Sequence, residues 1–157
     1  MIYYSYYQSP IGLLRLESDG RNLTGLYFAA DQIHSSTELP VFASVTAWLD
    51  AYFRGNPQMP FFSICLTGTP FQKQVWEILC TIPFGEVLTY GDIAREIAMR
   101  TGKIKMSAQA VGQAVGRNPV SIIIPCHRVI GAGNRLTGYA GGLDKKTWLL
   151  HHEGWLQ

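Results

Sequence analysis

The sequence predicts an α+β protein in two parts. A small antiparallel β-sheet with one helix is expected over residues 1–68, and a mainly helical region with a helix-turn-helix over residues 69–157. Three observations carry this expectation. Short aromatic and aliphatic runs separated by Gly, Pro and Asp/Asn turns fill the first forty residues. Apolar residues recur at helical spacing through most of the remaining chain. The exception is the β-branched run Ile122-Ile123-Ile124, which is broken by Pro125 and continues as Cys126-His127-Arg128.

Ile2–Tyr7, Leu13–Glu17 and Leu23–Phe28 read as three strands of a meander, turned at Pro10-Ile11-Gly12 and at Ser18-Asp19-Gly20-Arg21-Asn22. Residues 32–40 are polar and read as loop. Phe42, Val45, Trp48, Leu49, Tyr52 and Phe53 mark a helix that Gly55 stops. Residues 61–66 are expected to return as a further strand. Thr69-Pro70-Phe71-Gln72 is a capping box with proline at the first helical position. The helix it opens carries Phe71, Val75, Ile78, Leu79 and Ile82 on one stripe and ends at Pro83-Phe84-Gly85. Thr89 opens the next helix, with Asp92 at its third position. Ser107 caps another that runs to about Gly116, before Asn118-Pro119 closes it. Two short helices in succession suggest a helix-turn-helix, although many helical hairpins bind nothing. Asp144 is expected to cap a last helix containing Trp148, Leu149 and Leu150.

Composition is that of an ordinary folded chain, 47% hydrophobic and 15% charged. The N-terminus has no basic segment of a signal peptide, and no apolar run reaches the length of a membrane span. A cytoplasmic location without membrane contact is therefore expected. Cys65, Cys80 and Cys126 are too few and too scattered for a disulfide framework or a zinc knuckle, so reduced thiols are expected. Residues 1–68 hold three Lys+Arg against five Asp+Glu, net −2, whereas residues 69–157 hold ten against six, net +4. The basic excess lies in the part that contains Cys126. It suits a polyanionic partner, and equally an ordinary solvated surface.

The isoleucine run reads as a short buried strand that presents Cys126 at its end, with a base and a cation beside it. A lone cysteine is more often apolar filler, but filler has no need of His127 and Arg128 as neighbours. Successive side chains on an extended chain point to opposite faces. His127 would therefore need a bent backbone or a bridging water to serve Cys126. Residues 137–142, Thr-Gly-Tyr-Ala-Gly-Gly, form a glycine-rich loop that either lets backbone approach a ligand or simply connects.

Together these motifs resemble the O6-alkylguanine-DNA alkyltransferases, also called methylated-DNA–protein-cysteine methyltransferases. The resemblance rests on Pro125-Cys126-His127-Arg128-Val129, on Asn118-Pro119, on Gly138-Tyr139-Ala140-Gly141-Gly142 and on His152-Glu153-Gly154. Thr69-Pro70-Phe71-Gln72, Val75-Trp76, Ile82-Pro83-Phe84-Gly85-Glu86 and Tyr90-Gly91-Asp92 add to it. It is strong over about residues 69–154 and loose before them. It implies a ribonuclease H-like first domain and a winged helix-turn-helix second domain. It also implies a stoichiometric reaction in which guanine is flipped out of double-stranded DNA and its O6-alkyl group passes irreversibly to a cysteine, with O4-alkylthymine a further substrate to consider.

Carried onto this sequence, the resemblance makes Cys126 the acceptor, His127 a base acting through water, and Glu153 the group that orients it. Tyr90 becomes the donor toward the guanine ring and Asn118 the hinge. Tyr139, Ala140, Val129, Val115 and Lys146 would line the base pocket, and Ser107, Ala108, Gln109, Arg117 and Arg128 would meet DNA. No cofactor or metal is implied, and a monomer is expected. Other roles stay open for Tyr90 as a core aromatic, Glu153 as a surface acid and Lys146 as a solvated charge. The sequence departs from the family where an intercalating arginine is replaced by Gln109. Weaker and less salt-sensitive DNA binding is expected, with Arg117 or Lys105 as compensating cations. Two other readings remain open. One is a winged-helix lesion-binding or regulatory protein with an inert cysteine; the other is a thiol hydrolase using Cys126, His127 and Glu153.

Overall fold

In the computed structural model, which describes residues 1–157, the three N-terminal runs form β1 (Tyr3–Ser9), β2 (Gly12–Ser18) and β3 (Leu23–Phe28). They pair antiparallel in the order β1-β2-β3, with Tyr6 opposite Arg15 and Leu16 opposite Leu26. The period-2 alternation of β2 sends Leu14 and Leu16 into the core. Arg15 and Glu17 take the other face, where they pair at 2.8 Å and Arg15 stacks over Tyr27. The helix α1 (Pro40–Phe53) starts at a proline and buries Val41, Phe42, Val45, Trp48, Leu49 and Tyr52. Trp48 donates its indole N–H to the Gln58 carbonyl at 2.7 Å, so its polar atom is satisfied. Each fully buried Leu contributes about 2 kcal/mol by area removed from water.

The chain divides into two compact units, Met1–Thr67 with Pro119–Ile123, and Gly68–Asn118 with Ile124–Gln157. A single cut after residue 68 does not anticipate the short return into the first unit. There the free edge of β3 takes two short segments. Leu23 exchanges backbone bonds with Ser63 and Cys65, and Leu26 with Pro119 and Ser121. The strand expected over residues 61–66 is thus reduced to one bridge at Ile64.

The strand expected at Ile122–Ile124 is absent. The Ile123 N–H donates to the Ser121 carbonyl at 2.8 Å, closing a three-residue γ-turn about Ile122, whose φ is +71°. A β-branched residue at positive φ is a genuine outlier that only firm packing sustains, and Ile122 is fully buried. A continuous apolar run records burial, and burial suits a tight turn as well as a strand.

In the second unit, α2 (Pro70–Leu79) and α3 (Tyr90–Thr101) both begin with complete capping boxes, Thr69 with Gln72 and Thr89 with Asp92. Gly102, left-handed at φ 68°, ends α3, and Ser107 caps α4 (Ala108–Gly116). Trp76 on α2 donates to the Ala114 carbonyl of α4 at 2.9 Å. Two very short strands, β4 (Leu88–Thr89) and β5 (Val129–Ile130), pair in parallel and fix the start of α3 beside the segment that follows Cys126. The last helix, α5 (Leu143–His152), is entered from Gly142 at φ 99° with no side-chain cap, so Asp144 sits in its first turn instead of capping it.

Candidate active site

Pro125 lies at φ −81°, ψ 67°, and the Cys126 N–H bonds the Ile124 carbonyl at 2.8 Å, an inverse γ-turn. Cys126–Arg128 then form one 3-10 turn, closed by the Arg128 N–H on the Pro125 carbonyl. This is the bent backbone that adjacent Cys and His require. All three side chains are buried.

Glu153, at the C-terminal end of α5, organises the cluster. His127 Nε2 lies 2.6 Å from Glu153 Oε2. Arg128 donates Nε to Oε1 at 2.7 Å and Nη2 to Oε2 at 3.0 Å, a bidentate pair, and its Nη1 reaches the Ile82 carbonyl at 2.6 Å. Gly85 N–H adds a bond to Oε1 at 3.3 Å. Burial alone would raise the Glu153 pKa, but the hydrogen bonds of His127 and Arg128 and the charge of Arg128 overcome it and hold the carboxylate ionised far below its ordinary range. Burial pushes the His127 pKa below 6.5 against the pull of Glu153. Burial dominates and the Arg128 charge offsets that of Glu153, so His127 is neutral at pH 7. Its Nε2–H then donates to the carboxylate and leaves the lone pair on Nδ1, which has no protein partner.

Burial also raises the pKa of the Cys126 thiol, opposed by a hydrogen bond with the Asn118 side chain and by the positive charge of Lys146. At rest this is a thiol that needs a base. Asn118 Nδ2 also donates to the Ile124 carbonyl at 2.8 Å, tying the end of α4 to the turn. Lys146 has no exposed surface; its Nζ donates to the Val129 carbonyl at 2.6 Å and the Thr137 carbonyl at 3.1 Å. Desolvation lowers its pKa to about 8.

An open cleft of about 950 Å³ is lined by Tyr90, Asp92, Arg95, Gln109, Gly112 and Thr137 among others; Cys126 and His127 are not on its wall, and Thr137, whose carbonyl Lys146 holds, links it to the cluster. The Tyr90 ring lies against Gly112 of α4. Tyr139 is half-buried, its ring edge-on to His127 at 6.4 Å, and Ala140 is exposed beside it. Val129 and Val115 are core residues. Ser107, Ala108 and Gln109 are exposed on the first turn of α4, whereas Arg117 lines a separate depression with Thr69, Phe71 and Gln72. Arg128, expected at a DNA surface, is buried instead: its guanidinium is occupied by Glu153 and Ile82, so it braces the cluster. Thr137, which bonds the Tyr90 hydroxyl at 2.9 Å, was not singled out by sequence. The only signal was its place immediately before the Gly138–Gly142 loop.

Two family models match the chain: the DNA binding domain of 6-O-methylguanine DNA methyltransferase over residues 70–155, and its ribonuclease-like domain over residues 2–61. A methylated-DNA–protein-cysteine methyltransferase of Haemophilus influenzae is 44% identical, covering 97% of this chain and 86% of its own length. The crystal structure of Mycobacterium tuberculosis OGT in complex with DNA is similar at a TM-score of 0.83 and 42% identity, covering 96% of this chain and 92% of that one. An O6-methylguanine DNA methyltransferase from Methanococcus jannaschii is similar at a TM-score of 0.70 and 31% identity, over 98% and 94% of the two chains. No helix is long and apolar enough to cross a membrane. With both halves matched in order and relatives alike over nearly their whole length, the chain belongs to the 6-O-methylguanine DNA methyltransferase family.

Proposed function

We propose that this chain repairs DNA by moving the alkyl group of O6-alkylguanine onto Cys126, once per molecule. The observation that carries the reading is a buried thiol next to a histidine whose Nε2 rests on the carboxylate that Arg128 braces. A base in the helical stack hides its O6, so the guanine leaves the duplex first, and the cleft beside Tyr90 is roomy enough for an extruded base. His127 Nδ1 takes the thiol proton through a bridging water. Sγ attacks the alkyl carbon, the C–O6 bond breaks, and its electron pair stays with guanine while Tyr90 donates a proton to the ring. The product is a thioether at Cys126. Water does not cleave that bond, so the thiol is not regenerated.

Asn118 and Lys146 favour the thiolate as it forms, through a hydrogen bond and a charge. Ser107, Ala108 and Gln109, exposed on α4, are the surface offered to DNA, with Tyr139 and Ala140 bordering the base. A relative solved with DNA supports that partner. Monomeric action in the cytoplasm accompanies the reading, and three free cysteines suit a reducing compartment.

The test is intact-protein mass spectrometry after mixing with a duplex carrying one O6-methylguanine, with peptide mapping. One methyl per molecule on Cys126, absent in Cys126→Ala, is expected. A protein that binds the lesion but stays unmodified would move the function to lesion recognition. Repeated turnover would make it a hydrolase.

A further inference from the structure

Tyr90 can serve the guanine ring only if its single hydroxyl proton points toward the base. The one hydrogen-bond partner of that hydroxyl in the protein is Thr137 Oγ1 at 2.9 Å, and either oxygen can be the donor. If Tyr90 donated, its proton would be spent on the threonine. If Thr137 donates, the Tyr90 oxygen accepts and its own O–H is free for the ring, in a chain where each bond polarises the next.

Thr137 is held so that its hydroxyl oxygen stays on Tyr90. A β-branched residue has few χ1 choices. Its methyl group is seated against Gly131, where an added Cβ would come within 3.1 Å of Cγ2. Its carbonyl is fixed by the buried Lys146 ammonium at 3.1 Å. With methyl and backbone both placed, the hydroxyl falls on Tyr90, whose ring is backed by Gly112. Both side chains line the same cleft.

We infer that Thr137 is a positioning residue for the transfer step, donating its hydroxyl proton to Tyr90 so that Tyr90 presents its own to the base. This rests on the alkyl-transfer reading above. It also gives Lys146 a second task, holding the segment from which Thr137 acts.

The experiment is single-turnover transfer from an O6-methylguanine duplex, giving a saturating rate and a half-saturating protein concentration for each variant. Thr137→Val keeps the seated methyl and removes the hydroxyl. It is expected to lower the saturating rate about tenfold, as one lost hydrogen bond in the transition state does, with half-saturation little changed. Thr137→Ser, which restores the hydroxyl, should recover most of the rate. In a Tyr90→Phe background, Thr137→Val should cost nothing further, because the residue acts through the tyrosine oxygen. A Thr137→Val protein as fast as the parent would overturn the inference. So would a Thr137→Ser protein as slow as Thr137→Val, or an unchanged penalty in the Tyr90→Phe background. A parent protein that never methylates Cys126 would instead overturn the proposed function, and this inference with it.

Discussion

The two units bury different chemistry. In the first, the buried polar side chains are three serines, Ser9, Ser18 and Ser121, and the ion pair Arg15–Glu17 is only half-buried. In the second, Asn118, His127, Arg128, Lys146 and Glu153 are all buried, Asn118 and Lys146 acting on the Cys126 thiol and His127 and Arg128 bonded to Glu153. Burying charge is costly unless every partner is supplied, and replacing such a cluster by apolar residues is often neutral or stabilising. A fold that needed only stability would have the first kind of core. The second kind marks where charges are held for chemistry.

The sharpest way to break that contrast is Glu153→Gln. Arg128 would be left buried with a neutral partner and His127 would lose the group that fixes its tautomer. Stability to urea is expected to fall by about 3 kcal/mol and the transfer rate by about a hundredfold or more. Leu16→Ala in the first unit should cost a similar amount of stability, about 3 kcal/mol, by opening a cavity between sheet and helix. Its transfer rate per folded molecule should match the parent, so the same loss of stability leaves activity untouched in one unit and removes it in the other.

A smaller effect comes from pH. The folded-state pKa of His127 is lowered from 6.5, so below that pH the unfolded chain binds a proton that the folded chain refuses. Stability is therefore lost as pH falls through 6.5, so it should be lower at pH 5.5 than at pH 7. The depressed carboxyl of Glu153 adds the same trend below 4.5. Urea titrations at both pH values should show the loss in the parent and a reduced loss in His127→Gln. The smallest effect concerns the DNA surface. Gln109→Arg, exposed on α4 beside Arg95, should tighten duplex binding and steepen its log–log salt dependence by about one.

Local rules made most of the architecture legible. The meander, the two capping boxes, the Ser107 cap and the stop at Gly55 depend on residues within a few positions of each other, and sequence shows such neighbours directly. The misreadings are non-local. Arg128 looked free for DNA because its partner Glu153 is 25 positions away. The parallel pair of β4 and β5 joins residues 88–89 to 129–130, and strands of two residues carry no periodicity. The turn at Ile122 has no Gly or Asn to announce it, since packing imposes its positive φ. Motif resemblance singled out Cys126, His127, Glu153, Tyr90 and Asn118, but only geometry ties Asn118 to the thiol, Arg128 to Glu153 and Thr137 to Tyr90.

The central claim is that burial keeps His127 neutral, while the Glu153 carboxylate, neutralised by Arg128, takes its Nε2–H and leaves the lone pair on Nδ1. Histidine-ring NMR of the nitrogen-labelled protein, assigned with His127→Gln, tests it most directly. At pH 7 the His127 ring should show one protonated nitrogen, Nε2, and one bare nitrogen, Nδ1, and Glu153→Gln should disturb that pattern. Two protonated nitrogens at pH 7 would mean an imidazolium paired with Glu153, unable to accept the Cys126 proton, and would contradict the account.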